Sequence, residues 1–142
     1  MNEPRFCRAA LLAAALLVAG CAGAPPRGTE PVAVKVLAIN DFHGNLMPPL
    51  GGIRIKDPAD ATKTVNVAAG GAAYLASAVA ALRRKNRNHI FVAAGDLIGA
   101  SPLLSALFHD EPTIQSLSMM GLELSAVGNH EFDRGSAELL RM

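Results

Sequence analysis

Cysteine is nearly absent from this 142-residue chain, which has only Cys7 and Cys21. Cys7 falls in a leader-like stretch, so the processed chain has no second thiol, which excludes disulfides and cysteine-ligated zinc. An excess of either charge is missing as well. Removing Glu3, Arg5 and Arg8 with the leader leaves 11 basic against 11 acidic residues, so no polyanion-binding surface and no nucleic-acid polymer as partner are expected. The pairs Gly51-Gly52 and Gly70-Gly71 lack the Gly-x-x-x-x-Gly-Lys and Gly-x-Gly-x-x-Gly contexts of phosphate loops, and read as turn residues. With 51% hydrophobic residues, the chain has apolar material for one modest α/β domain and not for a second.

Part of that apolar content belongs to the leader. Arg5 and Arg8 form a positive region ahead of an apolar run at residues 9–19, too short to span a bilayer as a stable helix. The run ends in Val18-Ala19-Gly20-Cys21, which resembles a bacterial lipoprotein cleavage site. On that resemblance, residues 1–20 are a signal peptide and Cys21 becomes the acylated first residue of a membrane-tethered, exported chain. An ordinary secretory signal, or an anchor that is never cut, is the alternative. Residues 21–31 carry Pro25, Pro26, Gly28 and Pro31, the composition of a flexible tether.

The folded part is expected over residues 32–142. Residues 32–39 alternate and then turn apolar on both faces, as a strand does on entering the middle of a covered sheet. The prolines and glycines of residues 45–70 predict a long loop containing a hairpin around Ile53-Arg54-Ile55. Leu75, Ala76, Val79 and Leu82 at helical spacing predict a helix over 72–84, its basic end suiting the negative end of the dipole. Residues 90–94 read as a second strand and 122–127 as a third. Between them, short helices are expected at 103–108, with Ser101 as cap, and at 112–120, with Gly121 as the stop. Strands separated by helices predict a parallel α/β sheet with helices on its faces.

Three polar motifs fall immediately after the three strands, at the sheet edge where ligands bind in such folds. Asp41 and His43 offer an oxygen and a nitrogen ligand, a mixture suiting zinc, manganese or iron better than calcium. Asp96 follows Gly95, which permits close backbone approach, and its carboxylate has two oxygens with which to bridge two cations. Asn129 offers a neutral carbonyl oxygen, and His130 stands three residues before Asp133, which would orient its imidazole and keep it basic. Each has a plainer alternative: solvated loop residues for Asp41 and His43, a turn aspartate for Asp96, a helix cap for Asn129. Four candidate ligands delivered separately to one edge make the combination specific.

The runs Ile39-Asn40-Asp41-Phe42-His43-Gly44-Asn45, Ala94-Gly95-Asp96 and Val127-Gly128-Asn129-His130-Glu131-Phe132-Asp133 resemble the calcineurin-type metallophosphoesterases, specifically their bacterial 5′-nucleotidase branch. The resemblance implies the N-terminal half of an αββα sandwich holding two divalent metal ions. Asp41 and His43 would hold one, Asp96 would bridge, and Asn129 would hold the second. His130, oriented by Asp133, would stabilise developing charge or protonate the leaving alkoxide during in-line attack on a phosphate ester.

Members of that family add a later histidine, a Gly-His-x-His segment and a C-terminal domain that clamps the nucleoside base. None is found among these residues. The histidines are His43, His89, His109 and His130; His89 and His109 are read as surface residues and precede Asn129, so neither fills the later positions. The chain is therefore expected to be the N-terminal part of a nucleotide-hydrolysing envelope enzyme and inactive alone, with apolar sheet surface left exposed. The contrasting reading is a membrane-anchored binding module with a vestigial metal site.

Overall fold

A computed structural model describes residues 30–142. The leader at residues 1–20, Cys21 and the tether up to residue 29 lie outside the described residues. Residues Ala33–Met142 form one compact unit.

The elements follow in chain order. Strand β1 (Lys35–Ile39) leads to an antiparallel hairpin of β2 (Ile53–Lys56) and β3 (Thr64–Val67), then helix α1 (Gly71–Arg83). Strand β4 (His89–Ala93), short helix α2 (Leu103–Ala106) and helix α3 (Glu111–Met119) come next. Strand β5 (Leu124–Ser125), a 3-10 turn (His130–Phe132) and helix α4 (Ser136–Arg141) complete the described chain. The main sheet has the order β1-β4-β5, and both pairings are parallel.

The sheet is held by alternation. Leu37 of β1 and Phe91 of β4 are register partners whose side chains point to the same face, where they meet Val79 and Leu75 of α1. A second cluster of Ala93, Leu97 and Leu117 joins α3 to that face. Phe91 is fully buried, an arrangement worth about 2–3 kcal/mol for its side chain. On the opposite face Val36 is 63% exposed. The apolar character of β1 on both sides, read above as a sign of double coverage, thus leaves the Val36 side of β1 open among the described residues.

Several local expectations shift. Strand β5 has two residues rather than the six expected, because β4 ends at Ala93 and the last cross-strand bond is Ala126 N–H to Ala93 O at 3.0 Å. The predicted hairpin exists, pairing Ile53 with Val67 and Lys56 with Thr64. Pro102, not Ser101, occupies the N-cap position of α2. The basic residue expected in the last turn of α1 is Arg83, and its guanidinium also donates to Met120 O and Gly121 O, both at 2.6 Å, closing the C-terminus of α3. It lies over the Phe91 ring with its carbon 5.6 Å from the centroid. No helix among the described residues is long and apolar enough to cross a membrane.

Candidate metal centre

Backbone pairing between β1 and β4 does not stop where the strands do. Asp41 N–H donates to Gly95 O, His43 N–H to Asp96 O and Gly44 N–H to Leu97 O, each at 3.1 Å. The loop carrying Asp41 and His43 is thereby zipped to the loop carrying Asp96. Both loops are bent sharply: Asp41, His43 and Asp96 have φ of 51°, 44° and 52°, a left-handed conformation that costs non-glycine residues on the order of 1 kcal/mol each and concentrates at functional sites.

The loop after β5 closes against the same place. A Cβ on Gly95, whose φ is +101°, would lie 2.3 Å from Gly128 N, and one on Gly128 would lie 2.1 Å from Asp96 Oδ1. Only glycines allow the two loops to touch. Asp96 Oδ1 accepts the His130 backbone N–H at 3.0 Å.

These contacts assemble a donor cluster. One ligating atom each from His43, Asp96 and His130 lie within 4.8 Å of one another, and all three residues are partly buried. The two imidazoles meet edge to face, with centroids 5.0 Å apart. His43 Nδ1 lies 2.9 Å from Gly99 O; a carbonyl can only accept, so Nδ1 carries the proton and Nε2 is left with its lone pair. Asp41 Oδ1 lies 3.7 Å from that Nε2. His130 Nδ1 lies 2.8 Å from Asp133 Oδ2, leaving its Nε2 toward the cluster chemistry as well. This set of imidazole nitrogens and carboxylate oxygens, with tautomers fixed by acceptors behind the rings, fits a divalent transition metal.

Of the residues singled out from sequence, His43, Asp96 and His130 converge, and Asp41 stands beside His43 outside that cluster. Asn129 immediately precedes His130, is exposed, and makes no side-chain capping bond to the turn it begins. Asp41 is bonded by the Asn40 side-chain amide and is otherwise largely open, with its side chain 57% exposed. His89 Nδ1 is 2.8 Å from Asn86 O at the opposite end of β4, and His109 pairs with Arg134. The Asp133 hydrogen bond raises the His130 pKa above the ordinary histidine range; partial burial opposes this, and the charges of Asp133, Asp96 and Glu131 add to it.

Glu131 was given no role by the sequence reading. Its carboxylate is buried and accepts three backbone N–H groups, from Asp96 at 2.9 Å, Leu97 at 2.8 Å and Gly128 at 2.6 Å. It ties the loops after β4 and β5 together from beneath. The only signal in the sequence was its place inside the Gly-Asn-His-Glu-Phe-Asp run.

A parallel sheet whose strand ends bring histidines and a carboxylate together has its candidate site at the C-terminal edge of the strands. Comparison with known proteins supplies the class: the model for the calcineurin-like phosphoesterases matches residues 34–141, and the chain belongs to that family. It is 48% identical over 137 residues to an uncharacterised protein of the pqq-V 5′ region of Acinetobacter calcoaceticus, covering 92% of this chain and 67% of that protein. It is 36% identical to the endonuclease YhcR of Bacillus subtilis, over 85% of this chain but 10% of the relative. The solved NAD nucleotidase of Haemophilus influenzae matches with a TM-score of 0.65 at 30% identity, over 78% of this chain and 18% of that one. The chain thus spans two thirds of the first relative and a small part of the other two.

Proposed function

We propose that this chain supplies the first part of a two-metal centre that hydrolyses nucleotide 5′-monophosphates or related phosphate esters in the cell envelope. The observation that carries the reading is the convergence of His43, Asp96 and His130 within 4.8 Å at the sheet edge, in a family of phosphoesterases. Asp41 and His43 would hold one divalent ion, Asp96 would be shared with a second, and Asn129 would offer its amide oxygen to that second ion. A bound pair of such ions polarises phosphoryl oxygens and lowers the pKa of water. His130, oriented by the Asp133 hydrogen bond, would present Nε2 to the leaving oxygen, as a charge stabiliser or proton donor. Asp133 orients that ring.

The nucleotide reading rests on the Asn-Asp-Phe-His-Gly and Gly-Asn-His-Glu-Phe-Asp runs and on likeness to the NAD nucleotidase. The endonuclease relative favours a second reading, cleavage of phosphodiesters in nucleic acid. The balanced charge of the processed chain speaks against a polyanion track.

The test is phosphate release from nucleoside 5′-monophosphates, bis(p-nitrophenyl) phosphate and DNA, using protein purified from its native envelope with manganese or zinc. Metal-dependent release from the monophosphates, abolished by Asp96→Asn, is expected. Release from DNA alone selects the second reading, and no release from any substrate sinks both. The 142-residue chain by itself is expected to turn over no substrate usefully, since its donor set is short of two full coordination shells. For the envelope assignment, incorporation of labelled palmitate that is lost in Cys21→Ala is expected, and unchanged labelling would refute lipidation at Cys21.

A further inference from the structure

We propose that Asp110, a residue remote from the donor atoms, is a positioning residue that sets the tautomer and orientation of His43 through Gly99. The inference rests on the reading of His43 as a metal-holding residue.

Asp110 is buried, at 5% exposure, in a polar knot under the loop that follows Asp96. Its Oδ1 accepts the Ser105 hydroxyl at 2.7 Å, and Ser105 Oγ lies 2.7 Å from Thr113 Oγ1; Ser105 and Thr113 are both fully buried. Its Oδ2 accepts the Gly99 backbone N–H at 3.2 Å. The carbonyl of that same Gly99 accepts the His43 Nδ1–H at 2.9 Å, with the Ser101 hydroxyl oxygen 3.3 Å away. The result is a continuous path from a buried carboxylate, across one glycine, to the back of an imidazole.

Two packing facts fix the path in place. Gly99 has φ +76°, and a Cβ there would lie 2.7 Å from Asp133 Oδ2 and 2.8 Å from His130 Cβ, so Gly99 is packed tightly against His130 and its support Asp133. Gly44, next to His43, sits on the knot itself: a Cβ there would lie 2.6 Å from Ser101 Oγ and 2.9 Å from Ser105 Cβ. Asp110 pays for its own position with φ 65° at the start of α3, where it makes no side-chain capping bond to the helix. A residue placed merely to start α3 would spend its carboxylate on the helix N–H groups; this one spends it on Gly99 and Ser105. Burial opposes ionisation of Asp110, yet the hydrogen bonds from Ser101, Ser105 and Gly99, with the charge of Arg134, hold its pKa below the usual carboxylate value. An ionised Asp110 is the stronger acceptor for Gly99 N–H, which anchors the Gly99 backbone and with it the position of the carbonyl that faces His43.

The test uses the full chain with ¹⁵N-labelled histidine, reading ring tautomers by long-range proton–nitrogen correlation and metal affinity by titration calorimetry with manganese or zinc. In the unsubstituted chain His43 is expected to be the Nδ1–H tautomer; a dominant Nε2–H form overturns the proposal without any variant. Asp110→Ala is expected to mix the His43 tautomers and weaken metal binding about tenfold or more, the usual effect of losing a partner behind a ligand. Thr113→Val, which cuts the same knot away from Gly99, is the control: it should lower the melting temperature while leaving tautomer and affinity unchanged. If Asp110→Ala fails to fold, Asp110→Asn replaces it, and a weakened Gly99 amide protection with a shifted His43 tautomer is expected. Destabilised Asp110 variants with His43 unmoved would show that Asp110 only supports the fold. Failure of the unsubstituted chain to bind metal, with the tautomer response intact, would reject the metal reading and leave the positioning role standing.

Discussion

Glu131 accepts the backbone N–H of Asp96 at 2.9 Å, so the residue next to His130 holds the main chain of the carboxylate that His130 faces. Two further N–H groups, of Leu97 and Gly128, complete the carboxylate's contacts. Glu131→Gln keeps the shape but puts an amide NH₂ against N–H donors. We expect a loss of about 2–3 kcal/mol, from unmade bonds to a buried charged acceptor. Urea unfolding measures it, and an unchanged midpoint would mean that the clamp contributes nothing.

Gly95→Ala should be among the most damaging small substitutions. The new methyl would meet Gly128 N at 2.3 Å from a residue with φ +101°, combining a backbone clash with a conformation closed to alanine. A cost on the order of 3 kcal/mol or more is expected. Thermal unfolding decides it, and a melting temperature within a degree or two of the unsubstituted protein would contradict the close approach.

In the metal-free chain the His130 ring should titrate above the ordinary histidine value, because the Asp133 hydrogen bond, opposed by partial burial, favours the imidazolium. A raised folded pKa means that the pair's contribution to stability is complete below the unfolded value of about 6.5 and is lost as the pH climbs through the folded one. Asp133→Asn should bring the NMR midpoint down. A midpoint indifferent to that change would remove Asp133 as the cause.

His43→Ala and Asp96→Asn should each weaken manganese or zinc binding at least tenfold, about 1.4 kcal/mol, whereas His89→Ala should not. His89 stands at the other end of β4, bonded to Asn86 O. Calorimetry that found equal losses for all three would disperse the proposed centre.

Much of this could be read along the chain, because strands β1 and β4 are short apolar runs that pass straight into Asn40-Asp41 and Gly95-Asp96. Helix α1 was legible from the spacing of Leu75, Val79 and Leu82. The length of β5 was not, since pairing depends on where β4 ends and not on the apolarity of residues 122–127. The partners of Arg83 were hidden for a similar reason: Met120 and Gly121 are distant in sequence and lie beside it only in the folded chain.

The sequence by itself determined the family-specific motifs, the strand ends that carry them, and the kind of side-chain donor that Asp41, His43, Asp96, Asn129 and His130 offer to the proposed centre. Those follow from residue type and from periodicity, which are local properties. Only the tertiary structure decided that Glu131 clamps two loops, that Asp110 reaches Gly99 behind His43, and that each imidazole is held through Nδ1. Such roles depend on which acceptor lies within about 3 Å of which donor, and that is settled by loops meeting across strands and not by their order in the chain.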